Sequence, residues 1–215
     1  MRQTFTARLL GASVTASAVA LPAYAGVMFN STGTSSNGDP VSFKAELTIS
    51  GDQLTVQLWN NSGESINKDD LLSSFYFDIA KSGGFRPTLT YSSASGDVYR
   101  TDKSAPDTLQ TAGMNLVATN PGDDTWQFRT MDPTKTPALG FGIGTAGNSS
   151  LSPNNFDGNI VGGIDYGIYA SDATDQSLNN LLLVKDTATF TFTGVSGFAE
   201  ADIKSVAAFR IGHDP

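Results

Sequence analysis

Acidic side chains are the residues of this chain whose chemistry could act on a substrate. The sequence has no cysteine and a single histidine, His213, close to its last residue. Thiol nucleophiles and Cys/His zinc sites are therefore excluded, and a Ser-His-Asp triad would depend on a terminal residue. Paired carboxylates, which glycosidases use as acid and base, are not excluded.

Two aspartates lie in apolar, strand-like segments. Asp78 lies in "FYFDI" and Asp165 lies in "GGIDYGIYA", so each places a charge among hydrophobic residues. One interpretation is an acid–base pair in a cleft. The other, which we favour, is a carboxylate that accepts hydrogen bonds from backbone groups at the end of a strand. We therefore assign no catalytic residues and expect that the protein is not an enzyme.

Loop aspartates form a candidate metal site. The loop "NNFDGN" is followed by Asp165, and "DATD" lies shortly after it. Oxygen ligands on loops suit calcium, although the spacing is not that of an EF-hand. Asp and Asn are also typical of ordinary turns. We expect no cofactor other than calcium, for which the candidates are Asp157, Asp165, Asp172 and Asp175.

Trp59 is the candidate ligand-binding aromatic residue. It follows Gln57 on the polar side of an alternating segment and is out of phase with apolar Leu58. An aromatic ring on the polar face of a strand offers a surface on which a sugar ring can stack. Trp126 shares its strand face with Phe128, so we expect Trp126 in the core.

Short strands must position these residues. The stretch "VSFKAELTISGDQLTVQLWNNSG", residues 41–63, alternates apolar and polar residues on both sides of Gly51-Asp52, which is typical of a hairpin. Further strand-like segments are separated by Gly, Asn, Asp, Ser and Pro. They are Val27–Asn30, Ser74–Ile79, Arg86–Ser92, Met114–Thr119, Thr125–Thr130, Ala138–Gly144, Ile164–Ala170, Thr187–Gly194 and Ser205–Gly212.

Helix-forming segments are short. Asn67–Phe75, with Asn67 as its cap, and Phe198–Ser205 each predict about one turn. About ten or eleven short strands with one or two short helical turns predict an all-β fold, a single antiparallel β-sandwich. A jelly-roll connection order is compatible with this pattern.

The first 25 residues have the features of a secretory signal peptide. Arg2 and Arg8 are followed by the uncharged apolar run Leu9–Leu21, and Ala23-Tyr24-Ala25 predicts cleavage before Gly26. We therefore expect a signal peptide over residues 1–25 and one β-sandwich domain over residues 26–215. No later apolar stretch is long enough to cross a bilayer, so we expect no stable membrane span after signal removal.

The remaining 190 residues are acidic and free of cysteine. They carry 11 basic and 21 acidic side chains, a net charge of −10, because residues 1–25 contain two of the 13 arginines and lysines. An acidic surface argues against nucleic acid and anionic lipid as partners. A secreted chain of this length without disulfides is expected to fold through its apolar core alone.

Three stretches together resemble a known family. Leu54–Ile79 combines a strand, a short Asp-Leu-Leu turn and an aromatic strand that ends in Asp. Asn154–Ala170 is a Gly/Asp loop that leads into Asp-Tyr-Gly, and Thr187–Gly212 is a Thr/Phe strand followed by a closing strand. Their order and spacing are similar to those of exosortase-associated (PEP-CTERM type) bacterial surface proteins. The resemblance implies an exported, all-β, extracellular protein with no established catalytic residues.

The chain departs from that family at its C-terminal end. Such proteins usually carry a sorting tail with a Pro-Glu-Pro motif, an apolar helix and a basic cluster, whereas this chain ends at "AAFRIGHDP". We therefore expect release into the medium or the periplasm rather than processing by a sorting enzyme.

These expectations together indicate a secreted bacterial surface or extracellular-matrix protein. It would act by association with extracellular polysaccharide, with itself or with another exported protein. The alternative is a secreted carbohydrate-active module, binding or hydrolytic, that uses Trp59 and loop carboxylates.

Overall fold

The computed structural model describes residues 26–63, 67–102, 104–117, 125–132, 138–145, 165–170 and 176–212. Eleven strands and four 3₁₀ turns are formed within these ranges. The strands are β1 (Val27–Thr34), β2 (Pro40–Ser50), β3 (Gln53–Asn60), β4 (Leu72–Phe77), β5 (Thr90–Arg100), β6 (Thr108–Asn115), β7 (Gln127–Thr130), β8 (Phe141–Gly144), β9 (Ile168–Tyr169), β10 (Leu182–Thr193) and β11 (Ala208–Ile211). The predicted all-β fold is confirmed.

The predicted hairpin is formed by β2 and β3. Gly51 joins them with a φ of 61°, a conformation that glycine adopts without steric cost. Along both strands buried residues alternate with partly exposed ones, as the period of two requires; most of the buried residues are apolar. The hairpin therefore has one face in the core and one face towards solvent.

The strands pair in two layers that β9 joins. In the first layer the order is β1-β2-β3-β10-β5-β6. In the second layer β4 lies between β11 and β8, and β7 pairs with β8. The two-residue strand β9 runs parallel to β10 and antiparallel to β4, so the sheet is mixed where the sequence predicted antiparallel pairing alone.

Aromatic rings fill the space between the two layers. Phe43 of the first layer and Phe209 of the second have ring centroids 6.1 Å apart. Phe192 and Phe128 lie across the same gap, at 5.0 Å. These contacts belong to one large buried cluster to which both layers contribute, so the arrangement is that of a β-sandwich.

The short helical turns number four within the described residues, two more than the sequence predicted. Lys68–Asp70 is capped by Asn67 as expected, since the Asn67 side chain accepts from the backbone N–H of Asp69. Glu200–Asp202 lies in the second predicted segment. The turns Ser82–Gly84 and Gln176–Leu178 were not predicted. No helix of the described residues has the length and apolar character needed to cross a membrane.

Several strand boundaries differ from the prediction, among them those of β5 and β6. β5 continues through residues 93–97, which the sequence placed in the gap after Ser92, and β6 ends at Asn115, where the sequence placed a strand over 114–119. Gly96 is the reason for the first difference. A Cβ at this position would lie 2.6 Å from Cγ1 of Val184, so glycine permits close approach of β10 rather than a turn.

Candidate functional site

Trp59 lies on the solvent side of the first layer. Its strand neighbours Leu58 and Asn60 are buried, whereas Trp59 itself is only partly buried. It is directly opposite Lys44 of β2 on one side and Thr187 of β10 on the other. Trp59 therefore lies on the polar face of its strand, as the sequence predicted.

Lys44 covers the Trp59 ring. Its Nζ atom lies 4.1 Å from the ring centroid, within the range of a cation–π contact. The same Nζ atom lies 3.7 Å from Oε2 of Glu46. Because the lysine and the glutamate neutralise each other, this part of the face carries no net charge. Sequence reasoning missed this contact, although a two-residue turn at Gly51-Asp52 places Lys44 opposite Trp59.

Hydroxyl and amide side chains extend from Trp59 across the layer. One row joins Thr48, Thr55, Thr191 and Ser93 on four neighbouring strands. The adjacent row joins Glu46, Gln57, Thr189 and Ser95. We call this surface the outer polar face; its residues are Ser42, Lys44, Glu46, Thr48, Thr55, Gln57, Trp59, Thr187, Thr189, Thr191, Ser93 and Ser95.

The outer polar face rests on a fixed support. The residues that alternate with it, among them Val56, Leu58, Phe190 and Phe192, are fully buried. Thr187 also donates from Oγ1 to the backbone oxygen of Leu58 at 2.8 Å, which ties β10 to β3 beside Trp59. The polar groups therefore stand on a packed sheet rather than on loops, which keeps their spacing constant.

The composition of the outer polar face suits the binding of a ligand that is partly apolar and partly polar. A partly exposed indole ring offers an apolar plane, and the surrounding hydroxyl and amide groups both donate and accept hydrogen bonds. A sugar polymer presents the matching features, which are apolar ring faces and many hydroxyls. Glu46 is the carboxylate of the outer polar face, and it faces Lys44.

Asp78 forms an ion pair where the sequence indicated backbone capping. Its side chain is 5% exposed, and its two oxygens accept from Nε and Nη2 of Arg86 at 2.7 and 2.9 Å. This hydrogen bonding raises the pKa of Arg86 above its ordinary value. The favoured interpretation of Asp78 was wrong about its partner, because Arg86 returns from the following loop to a position beside it.

The calcium candidates lie mostly outside the described residues. Asp157, Asp172 and Asp175 fall there, so the site predicted from them stays a prediction. Asp165 is described: it lies in the turn before β9, where its backbone oxygen accepts from Oγ1 of Thr145 at 2.7 Å. Within the described ranges no three His, Asp or Glu side chains come together as metal ligands.

Trp126 is a core residue, as predicted. It is 0% exposed, and its ring packs on Phe190 with centroids 4.9 Å apart. Its Nε1–H donates to the backbone oxygen of Tyr166 at 2.8 Å, which satisfies the polar atom of a buried indole. Of the two tryptophans, Trp59 is therefore the one available to a ligand.

Compared with protein-family profiles, with characterised proteins and with solved structures, the chain has no significant match. Its function is therefore inferred from the geometry described above.

Proposed function

We propose that this chain is a secreted bacterial surface or extracellular-matrix protein that binds extracellular polysaccharide through the outer polar face. The observation that carries the proposal is Trp59, a partly exposed indole on a rigid sheet, surrounded by rows of hydroxyl and amide groups. Export, suggested by residues 1–25, would place this face in contact with such polymers.

Association is favoured over hydrolysis by the partners of two carboxylates. A glycosidase needs one carboxyl group to give a proton and a second to act as base or nucleophile. Asp78 is held by Arg86, and Glu46 faces Lys44. Each of these two carboxylates is therefore engaged by a basic side chain rather than directed towards a substrate.

The polymer is expected to be neutral. Lys44 and Glu46 are the ionisable residues among those of the outer polar face, and they offset each other. The chain as a whole has a formal net charge of −8, so it repels a polyanion at long range. A neutral polysaccharide is not repelled in this way.

A sedimentation assay tests the proposal. Mature protein is mixed with insoluble neutral polysaccharide, and the bound fraction is measured for wild type, Trp59→Ala and Tyr99→Ala. Tyr99 is the matched control, because it is also a partly buried aromatic residue covered by a lysine, with Nζ of Lys185 5.3 Å from its ring centroid. We expect Trp59→Ala to weaken binding about tenfold and Tyr99→Ala to leave it unchanged. Equal losses in both variants would contradict the assignment of the face.

N-terminal sequencing tests the location. Exported protein is expected to begin at Gly26. Extracellular material that still contains Arg2 and Arg8 would show that residues 1–25 are not a cleaved signal.

A further inference from the structure

A second aromatic surface lies at the end of the sandwich where β2 turns into β3. Phe85 is 66% exposed, more than the other large apolar side chains found on the described surface. Its ring stacks on that of Phe198, with centroids 5.8 Å apart and an interplanar angle of 16°. Phe198 is partly buried and packs against the core cluster, whereas Phe85 lies on the solvent side of it. Exposed apolar surface of this kind often marks a binding site.

The loop that carries Phe85 is firmly built. Its base is the ion pair of Asp78 and Arg86, and its tip is closed by a hydrogen bond from the N–H of Lys81 to the backbone oxygen of Phe85 at 2.9 Å. Gly83 and Gly84 have φ values of 81° and 80°, which the tight turn requires. Phe85 is therefore held in position rather than left on a free loop.

A pocket adjoins the aromatic pair. It has a volume of about 380 Å³ and is lined by Ile49, Gly51, Phe198, Ala199, Glu200 and Ala201. We call this pocket, together with the Phe85 ring, the end pocket. Small-molecule sites in proteins are typically of this size or larger, with apolar walls and few polar groups.

Charged groups of both signs lie in and beside this pocket. Nζ of Lys81 lies 4.9 Å from the centroid of the Phe198 ring, and Glu200 contributes a carboxylate to the wall. Oε1 of Glu200 is shielded from solvent and accepts no hydrogen bond from the described residues. One cation and one anion leave the end pocket without net charge, and they supply a donor and an acceptor beside an aromatic plane.

The end pocket is separate from Trp59. Lys44, which faces Trp59, and Ser50, which ends β2 beside Gly51, are six residues apart along one strand, or about 20 Å. Trp59 also points outwards from the first layer, whereas Ile49 of the pocket wall points inwards. Trp59 and the end pocket therefore lie on different sides of the molecule, and one ligand unit cannot contact both.

We propose that the end pocket is a second sugar-binding site, for a neutral pyranose unit, so that one molecule holds polysaccharide at two places and cross-links neighbouring chains. This inference rests on the proposed function of the outer polar face. The apolar face of the sugar ring stacks on Phe85, and its hydroxyls donate to Glu200 and accept from Lys81. Because Lys81 and Glu200 carry opposite charges, the end pocket offers no net attraction to an anionic or a cationic sugar, which favours a neutral one.

Cross-linking provides the test, because a protein with one site binds a soluble polymer without joining its chains. Turbidity and light scattering are measured when mature protein is added to soluble β-glucan, to galactomannan and, as an acidic comparison, to alginate. The variants are Phe85→Ala, Trp59→Ala and the double variant, with Leu109→Ala as the matched control because Leu109 of β6 is also an exposed apolar residue, 46% accessible. The protein alone is examined by sedimentation velocity.

We expect wild type and Leu109→Ala to cross-link a neutral polymer. Each single aromatic variant should bind about tenfold more weakly, through lost avidity, and should no longer cross-link; the double variant should not bind. If Phe85→Ala cross-links as well as wild type while Trp59→Ala does not bind, the second site is refuted and the proposed function stands. If wild type binds none of the polymers, both are refuted. If Phe85→Ala changes only the self-association of the protein, the end pocket is a protein-docking surface and the sugar assignment is wrong.

Discussion

Phe43 and Lys44 are sequence neighbours whose side chains point to opposite sides of β2, so their replacement by alanine should have very different effects. Phe43 is 3% exposed, and its ring packs on Phe209 across the core. Truncation of such a phenylalanine costs about 3–5 kcal/mol. Lys44→Ala removes a cation–π contact worth about 0.5–1 kcal/mol and a surface ion pair worth about 0.2–1 kcal/mol. Both Lys44 contacts are partly exposed, so their sum should be about 1 kcal/mol or less.

Urea denaturation of the mature protein measures these losses. With a slope of about 2 kcal/mol per molar urea, Phe43→Ala should lower the midpoint by about 1.5–2.5 M and Lys44→Ala by about 0.5 M or less. Trp59→Ala should resemble Lys44→Ala, because it lies on the same face. Equal midpoint shifts for Phe43→Ala and Lys44→Ala would refute the alternation of β2, and a large shift for Trp59→Ala would place that ring in the core.

Three further predictions concern metal, charge and pH. Chelation by EDTA should leave the melting temperature of the fold nearly unchanged; complete unfolding in EDTA would show that calcium at Asp157–Asp175 is structural. Arg86→Met should destabilise the fold by about 3 kcal/mol because it leaves Asp78 buried without its cation, and adding Asp78→Asn should restore part of that loss in thermal melts. Burial and the hydrogen bond to Asp107 raise the pKa of Tyr169 well above its ordinary value near 10. As the pH rises, Tyr169 ionises in the unfolded chain before it ionises in the folded protein. The stability that folded Tyr169 contributes is therefore complete below pH 10 and is lost above it, by about 1.4 kcal/mol per pH unit. Tyr169→Phe should flatten this decline in the free energy of unfolding, and an unchanged decline would contradict the assignment.

Local patterns were sufficient for the elements that repeat with a period of two. The β2–β3 hairpin follows from alternation and from a turn that fixes its register, and both are properties of adjacent residues. Asn67 was recognised as a cap because the residues that it bonds follow it directly. The outer position of Trp59 comes from the same alternation.

Features that depend on residues distant in sequence could not be predicted from local patterns. Gly96 has the composition of a turn, and only the approach of Val184 explains why it lies within a strand. Asp78 finds its cation through a loop closed by Gly83 and Gly84. The Phe85–Phe198 pair joins two loops more than a hundred residues apart in sequence, so no local pattern marks it.

The central position of β10 has a consequence for the order in which the fold can form. This strand begins at Leu182, yet it lies between β3 and β5 and also contacts β9. A chain that emerges from its N-terminal end, from a ribosome or from a secretion channel, cannot complete the first layer until about nine tenths of it is free. The apolar faces of the early strands therefore stay uncovered until β10 has emerged. Folding is then dominated by slow pairing between strands that are distant in sequence. A chain that stays unfolded until nearly all of it has emerged exposes its apolar strand faces, and hence its capacity to aggregate, for most of that time.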